Sequence, residues 1–243
     1  MIYIKKYRHK PVYKKFVNLK TNVQNKQKLL SFKKKKWSNL NFHLNRMSKF
    51  KKRNCYYKFY DQNCYLIPKY SNFLSKGYKQ KIIIKKVFNL FYSNLNRIYI
   101  KKTIKNSIKN SNQIKNKLNM KKYLIGILES RLDVILVRSH FVLSIRNARQ
   151  LIKHRHVFVN NNNITDSSVL LTKGDSIRFS KKSHKIIKYY LTLSPLWPLT
   201  PTYLQVNYRL FQVHVLDNII FSNTLSENTL WLNLNTVVSS YFK

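Results

Sequence analysis

Acidic residues are nearly missing from this chain: 7 Asp plus Glu stand against 48 Lys plus Arg in 243 residues, a formal net charge of +41. So few carboxylates leave no paired acids for general acid–base chemistry, and no spacing suggests a nucleophile with its base or a metal centre. Glycine is almost as scarce, with Gly77, Gly126 and Gly174 standing alone. Glycine-rich phosphate loops of the kind a nucleotide-using enzyme needs are thereby excluded. The two cysteines, Cys55 and Cys64, have no second pair beside them; they fall short of a zinc site, and free thiols are expected. Long apolar runs are lacking too. The longest uncharged stretch, Tyr189 to Tyr208, is interrupted by Pro195, Pro198 and Pro201, which no spanning helix tolerates. The first residues, MIYIKKYRHK, have neither the apolar core of a secretory signal nor the Arg- and Ser-rich amphipathic character of an import peptide. The chain is expected to act where it is made, with no membrane as partner.

What is abundant is Lys, Asn, Ile, Tyr and Phe. These residues have AT-rich codons, whereas the scarce Gly and Ala have GC-rich ones, so the sequence carries the mark of an AT-biased genome, typically an organelle's. That bias accounts for part of the lysine excess. A body this cationic still repels itself unless a polyanion neutralises it, and nucleic acid is the first candidate.

The charge is unevenly placed. Residues 1–122 hold 34 Lys plus Arg and one acid, residues 123–188 hold 12 and 4, and residues 189–243 hold 2 of each. The expected organisation is a basic N-terminal region over 1–78, a basic helical region and linker over 79–122, a folded domain over 123–188, and a neutral C-terminal piece over 189–243 that packs back on the body. In the first region the runs Lys33, Lys34, Lys35, Lys36 and Lys51, Lys52, Arg53 alternate with Phe32, Trp37, Phe50, Tyr56 and Tyr57; the cations are candidate phosphate contacts and the aromatics are expected to pack a small core. Between Lys81 and Lys105, Ile84, Val87, Leu90, Phe91, Leu95 and Ile98 recur at helical spacing, with Lys81, Lys85 and Lys86 among the outer cations. Residues 103–119 are polar and of low complexity, and a linker or insertion is expected there.

Codon bias is resisted in residues 128–179, which hold six of the eleven arginines, the only alanine (Ala148) and four of the seven acids. A helix is predicted from Lys122 to Ser139 with Leu128, Leu132, Ile135 and Leu136 inward and Arg131 and Arg138 on one face. Asp133 is expected to pair with a nearby cation. Ser144 is a suitable N-cap for a second helix with Ile145, Ala148, Leu151 and Ile152 inward and Arg146, Arg149 and Lys153 outward, followed by His154, Arg155 and His156. Short strands follow at Val157–Val159, Val169–Leu171 and Ser176–Ser180, the first two flanking an Asn-rich turn that begins at Asn160. A helix pair backed by a small sheet, with an arginine-lined side, reads as an RNA-binding module.

Leu128-Glu129-Ser130-Arg131-Leu132-Asp133, Arg138, Ala148-Arg149-Gln150-Leu151-Ile152, Val159-Asn160 and Gly174-Asp175, in this fixed order, closely resemble the S-four-type RNA-binding domain, named after the fourth protein of the small ribosomal subunit. Asn161 stands where the family usually has glycine; asparagine is the next most permissive residue for a left-handed turn. Pro201-Thr202-Tyr203-Leu204-Gln205-Val206-Asn207 is similar to the segment that follows the domain in the ribosomal members, and the run from Asn228 to Lys243 looks like their closing strand. The likeness is good over 79–243 and weak over the first 78 residues.

The resemblance implies an α+β fold, a helical basic N-terminal region plus a two-helix motif backed by a small β-sheet. It further implies a structural constituent of the small subunit of a ribosome, bound early to the 5′ domain of small-subunit rRNA, supporting assembly and translation, beside ribosomal protein S-five and near the messenger RNA entry. The long, glycine-poor N-terminal half favours a mitochondrial, organelle-encoded protein over a plastid or apicoplast one. No enzymatic activity, cofactor or metal is expected. The alternative is a non-ribosomal RNA-binding or RNA-modifying protein with the same domain: Arg131-Leu132-Asp133 is superficially that of pseudouridine synthases, but here it continues into a helix. The residues expected to contact RNA in the domain are Arg131, Arg138, Ser144, Arg146, Arg149, Lys153, His154, Arg155 and Asn160.

Overall fold

The computed structural model describes residues 77–113, 120–194, 200–219 and 234–241, with a few isolated positions between 15 and 42. The chain divides into two compact units, 1–91 with 231–240, and 92–230 with 241–243. Among the described residues no helix is long and apolar enough to cross a membrane.

The first unit contributes helix α1, Tyr78–Phe91, in which the predicted inward positions Ile84, Val87, Leu90 and Phe91 are all buried. Most of helix α7, Leu234–Tyr241, also lies in it. The expected closing strand is thus a helix at its end, because Leu234, Val237 and Tyr241 are the buried positions, a spacing of three and four that only a helix brings to one side.

The second unit opens with helix α2, Arg97–Gln113. Periodicity predicts a single helix through Lys105, but Ser93 and Asn94 both take left-handed backbone at φ 58° and break it. Asn96 then caps α2 by accepting from Ile98 N–H at 3.0 Å. The rotation set by this restart turns Ile98 outward, 74% exposed, contrary to its predicted inward place. Residues 103–113, expected as linker, are helical; 114–119 lie outside the described residues.

The predicted helix 122–139 is two helices, α3 (Met120–Glu129) and α4 (Leu132–Arg138). Between them Arg131 is extended, φ −68° and ψ 137°, because the chain here joins a bridge to Leu170: Leu132 N–H donates to the Val169 carbonyl at 2.9 Å and Leu171 N–H to the Ser130 carbonyl at 2.8 Å. Helix α5, Ile145–Lys153, begins as predicted, with Ser144 Oγ accepting from Asn147 N–H at 3.3 Å. Its inward residues Ile145, Ala148, Leu151 and Ile152 are buried, and α5 packs against α4.

A five-stranded antiparallel sheet backs these helices, in the order β2-β1-β3-β5-β4, with β1 Val157–Val159, β2 Asn162–Asn163, β3 Ser176–Phe179, β4 Leu204–Asn207 and β5 Gln212–Val215. Helix α6, His184–Leu193, precedes β4. Val157, Ile177 and Val213 from three adjacent strands join Leu132, Ile135, Ala148 and Ile152 in one core. Asn160 and Asn161 close the β1–β2 hairpin with φ 50° and 68°, the two left-handed residues that a two-residue primed turn demands. Asparagine at 161 thus takes the left-handed backbone for which the resemblance leads one to expect glycine. Gly174 is also left-handed, φ 92°.

Candidate nucleic-acid interface

Three of the arginines expected to face RNA face inward. Arg131, 4% exposed, clamps Asp133 with Nε and Nη2 at 3.0 Å each and lies 5.1 Å from the centre of the Tyr99 ring, a cation–π contact. Arg149, 23% exposed, shares that carboxylate through Nε at 2.7 Å. Its Nη1 and Nη2 donate to the Ser93 and Tyr92 carbonyls at 2.8 and 3.1 Å. Arg138, 17% exposed, grips Glu129 at 2.8 and 3.0 Å, and the Tyr92 hydroxyl donates to the same carboxylate at 3.0 Å.

Asp133 and Glu129 are fully enclosed, and each is satisfied by a planar guanidinium fork that matches its two oxygens. Burial alone would lower the Arg131 and Arg138 pKa values, but Asp133 and Glu129 reverse this and raise both. The expectation that Asp133 pairs with a cation holds with two partners. Arg131, Arg138 and Arg149, expected to meet phosphate, bond Asp133, Glu129 and the Tyr92 and Ser93 carbonyls within the protein. Sequence spacing could not show this, because the break at Ser130–Arg131 removes the common face that a continuous helix would have given Arg131 and Arg138.

Outward cations remain on α5 and the turn after it. Arg146 is half-buried with no carboxylate near it among the described residues; burial, and then the Arg149 charge, lower its pKa. A cation held in that condition is unsatisfied by the protein and suited to an external anion. Lys153, His154 and Arg155 are exposed at the C-terminal end of α5. Arg155 takes φ 60°, and the turn is closed by Arg155 N–H to the Ile152 carbonyl at 2.9 Å and His156 N–H to the Leu151 carbonyl at 3.0 Å. This pattern ends many helices with glycine at the left-handed position; an arginine there is strained. Replacing Arg155 by Gly is expected to raise stability by about 1 kcal/mol, read as a higher unfolding midpoint, while removing a cation from the surface. A lowered midpoint would count against the left-handed assignment.

The other predicted residues divide. Ser144 is the helix cap. Asn160 is exposed, but its side chain locks the hairpin to β3, donating to Asp175 Oδ1 at 2.8 Å and accepting from Ser176 N–H at 2.9 Å. Lys81 and Lys85 are half-buried and Lys86 exposed on α1, and Lys35 is exposed. Lys33, Lys34, Lys36, Lys51, Lys52 and Arg53 lie outside the described residues, as do Cys55 and Cys64. Among the described residues no cluster of His, Cys, Asp or Glu could hold a metal ion.

Comparison with known proteins places this geometry. Residues 130–177 match the S4 domain model, spanning α4, α5 and strands β1 to β3. The chain is 41% identical over 108 residues to small ribosomal subunit protein uS4m of Dictyostelium citrinum, covering 44% of this chain and 30% of that protein. It is 36% identical over 118 residues to uS4m of Reclinomonas americana, covering 46% and 45%, and 40% identical over 73 residues to uS4 of Mycoplasma pneumoniae, covering 30% and 36%. The aligned stretches thus take in less than half the length of each of these relatives. Residues 130–177 thus match the S4 domain within an α+β fold, and the chain that carries them is similar to the uS4 proteins of small ribosomal subunits, mitochondrial ones among them.

Proposed function

We propose that the protein is a structural constituent of the small subunit of a mitochondrial ribosome, that it binds small-subunit rRNA in the 5′ domain, and that it supports subunit assembly and translation. The observation that carries this reading is the S4 domain set in a chain similar to uS4 and uS4m proteins. The half-buried, unpaired Arg146 beside the exposed Lys153, His154 and Arg155 supplies the anion-seeking surface such a role requires. Its work is binding: cations neutralise phosphates and release counterions, and the rigid helix pair fixes the register. The charge of residues 1–78, including Lys33 to Lys36 and Lys51 to Arg53, adds to the neutralisation, as do Lys81, Lys85 and Lys86. Ribosomal protein S-five and the messenger RNA entry are its proposed surroundings, and an organellar gene its proposed origin.

Two measurements test this. In a high-salt sucrose gradient of mitochondrial lysate the protein is expected to travel with the small subunit; release into the soluble fraction would instead support a free RNA-binding factor. For the surface, changing Arg146, Lys153 and Arg155 to Gln is expected to flatten the plot of log affinity against log salt by about 2–3 units, at roughly 0.7–0.9 for each phosphate that is no longer neutralised. A slope equal to wild type would remove α5 from the interface.

A further inference from the structure

The five-stranded sheet buries one face and leaves the other toward water. Val157, Val159, Ile177, Leu204 and Val213 are the buried alternates, packed with residues of α4 and α5 in the core. The residues between them point the other way. The strand registers set five of these outward residues side by side across all five strands, in the order Asn163, Phe158, Arg178, Gln212, Asn207. A second, shorter row holds Ser176, His214 and Gln205. Neighbouring strands lie about 4.7–4.9 Å apart, so the first row is about 19 Å long.

The chemistry of this face differs from that of the chain around it. In a protein with 48 Lys plus Arg, neither row contains a lysine or an acid, and Arg178 is the one cation. Phe158, Arg178 and His214 are planar groups of the kinds on which nucleobases stack. Phe158 and Arg178 stand directly opposite each other, and His214 is diagonal to Arg178, a separation of about 7–8 Å. Around them the amides of Gln205 and Gln212 each offer two donors and an acceptor, the complement of a base edge. Arg178 and Gln205 are exposed, and Phe158, Gln212 and His214 half-buried. The side chains of Arg178, Gln205, Gln212 and His214 have no hydrogen-bond or ion-pair partner among the described residues. The outer members of the rows serve the frame instead: Asn207 Oδ1 accepts from Arg209 and Leu210 N–H at 3.1 Å each, and Ser176 Oγ donates to Asn160 Oδ1 at 3.3 Å.

Tracking a phosphate strand takes a line of cations, which this face lacks. Docking a protein takes an apolar core to the patch, and Phe158 stands there alone. Flat groups interleaved with amides suit unpaired bases.

We propose that the outer face of the sheet is a platform for unpaired RNA bases, on which Phe158, Arg178 and His214 stack about two or three nucleotides while Gln205 and Gln212 bond their edges. This deepens the rRNA-binding reading above and rests on it for the identity of the strand; messenger RNA is the other source of the same chemistry. Because the helix pair covers the opposite face of the sheet, α5 and the platform hold separate stretches, one by its phosphates and the other by its bases.

The test uses the full chain with an oligouridylate and an RNA duplex as probes. Phe158→Leu keeps the apolar bulk and removes the ring; it is expected to weaken oligouridylate binding about 5–150-fold, the loss of one base–aromatic stack. The slope of log affinity against log salt is expected to stay as in wild type, since no phosphate contact is lost, and duplex binding is expected to be unchanged. Phe158→Tyr is expected to bind both probes as wild type does. No weakening, equal weakening on both probes, or an altered slope would overturn the platform. In wild-type small subunits, ultraviolet crosslinking read by mass spectrometry is expected to find nucleotides on the peptides carrying Phe158 or His214. The sequence of the attached RNA decides between rRNA and messenger, either of which supports the platform; crosslinks from this face to another protein alone would sink it. This second measurement needs no variant and so stands even where Phe158→Leu folds poorly. A protein that sediments with the small subunit while Phe158→Leu behaves as wild type loses the platform and keeps the rRNA reading. One that binds oligouridylate through Phe158 but leaves the subunit in high salt loses the rRNA reading and keeps the platform.

Discussion

Replacing Asp133 by Ala is expected to cost about 3–5 kcal/mol of folding stability, the range measured when one partner of a buried ion pair is removed. Asp133 is 0% exposed and accepts from both Arg131 and Arg149. Its loss leaves two guanidiniums without the carboxylate they share, one of them 4% exposed. Small domains are stable by only about 5–15 kcal/mol in total, so the variant is expected to unfold at a much lower denaturant midpoint. Asp133→Asn keeps the volume and one acceptor oxygen, and a smaller loss is expected from it. A change below about 1 kcal/mol in the alanine variant would mean that the pair behaves as a solvated surface bridge. The loss is also expected to loosen the turn at Tyr92–Asn94, since Arg149 is held between Asp133 and that turn; faster amide exchange there would report it.

Glu129→Ala is the second large expectation, again about 3–5 kcal/mol. It removes the buried carboxylate that both Arg138 and the Tyr92 hydroxyl bond. The pair can be separated from the packing by a double change. Glu129→Leu with Arg138→Met replaces both charges by apolar groups of similar size, which is often close to neutral, and is expected to recover most of the loss apart from roughly 1 kcal/mol for the lost hydrogen bond from the Tyr92 hydroxyl. Equal destabilisation in the single and double variants would show that shape, not charge pairing, sets the cost.

Much of the fold was legible because its rules are local. Ser144 announces a helix start, and Ala148 with Ile145, Leu151 and Ile152 fixes its inner side. The Asn-rich turn was legible, but its second strand was not: Asn162–Asn163 pairs with β1 where Val169–Leu171 was expected, and Leu170 bridges Arg131 instead. The helix breaks were not legible in this way. Ser93 and Asn94 give no strong stop signal, and Arg131 leaves the helix only because residues 169–171, some forty positions later, bind its backbone. The internal partners of the arginines were hidden for the same reason. Spacing tells which arginines could share a helix face, but not that the few acids of the segment lie inside it and draw three of those arginines inward.

Apart from those three, Arg146 has no carboxylate partner among the described residues and Arg155 stands in strained backbone. Lysine suffices at such places, since a phosphate accepts a point charge. The clamps are less forgiving, because an ammonium cannot span both oxygens of a carboxylate.

That difference bears on how this chain can change over generations. Lysine codons of the AAR type differ from AGR arginine codons by one base, and a genome drifting toward A and T presses steadily in that direction. At an outward position such as Arg146 or Arg155 a lysine keeps the charge. At Arg131, Arg138 and Arg149 the same step leaves a buried carboxylate half-met. The interior forks are therefore where mutation pressure and folding meet head-on, and they set a floor on how far the arginine content of such a protein can fall.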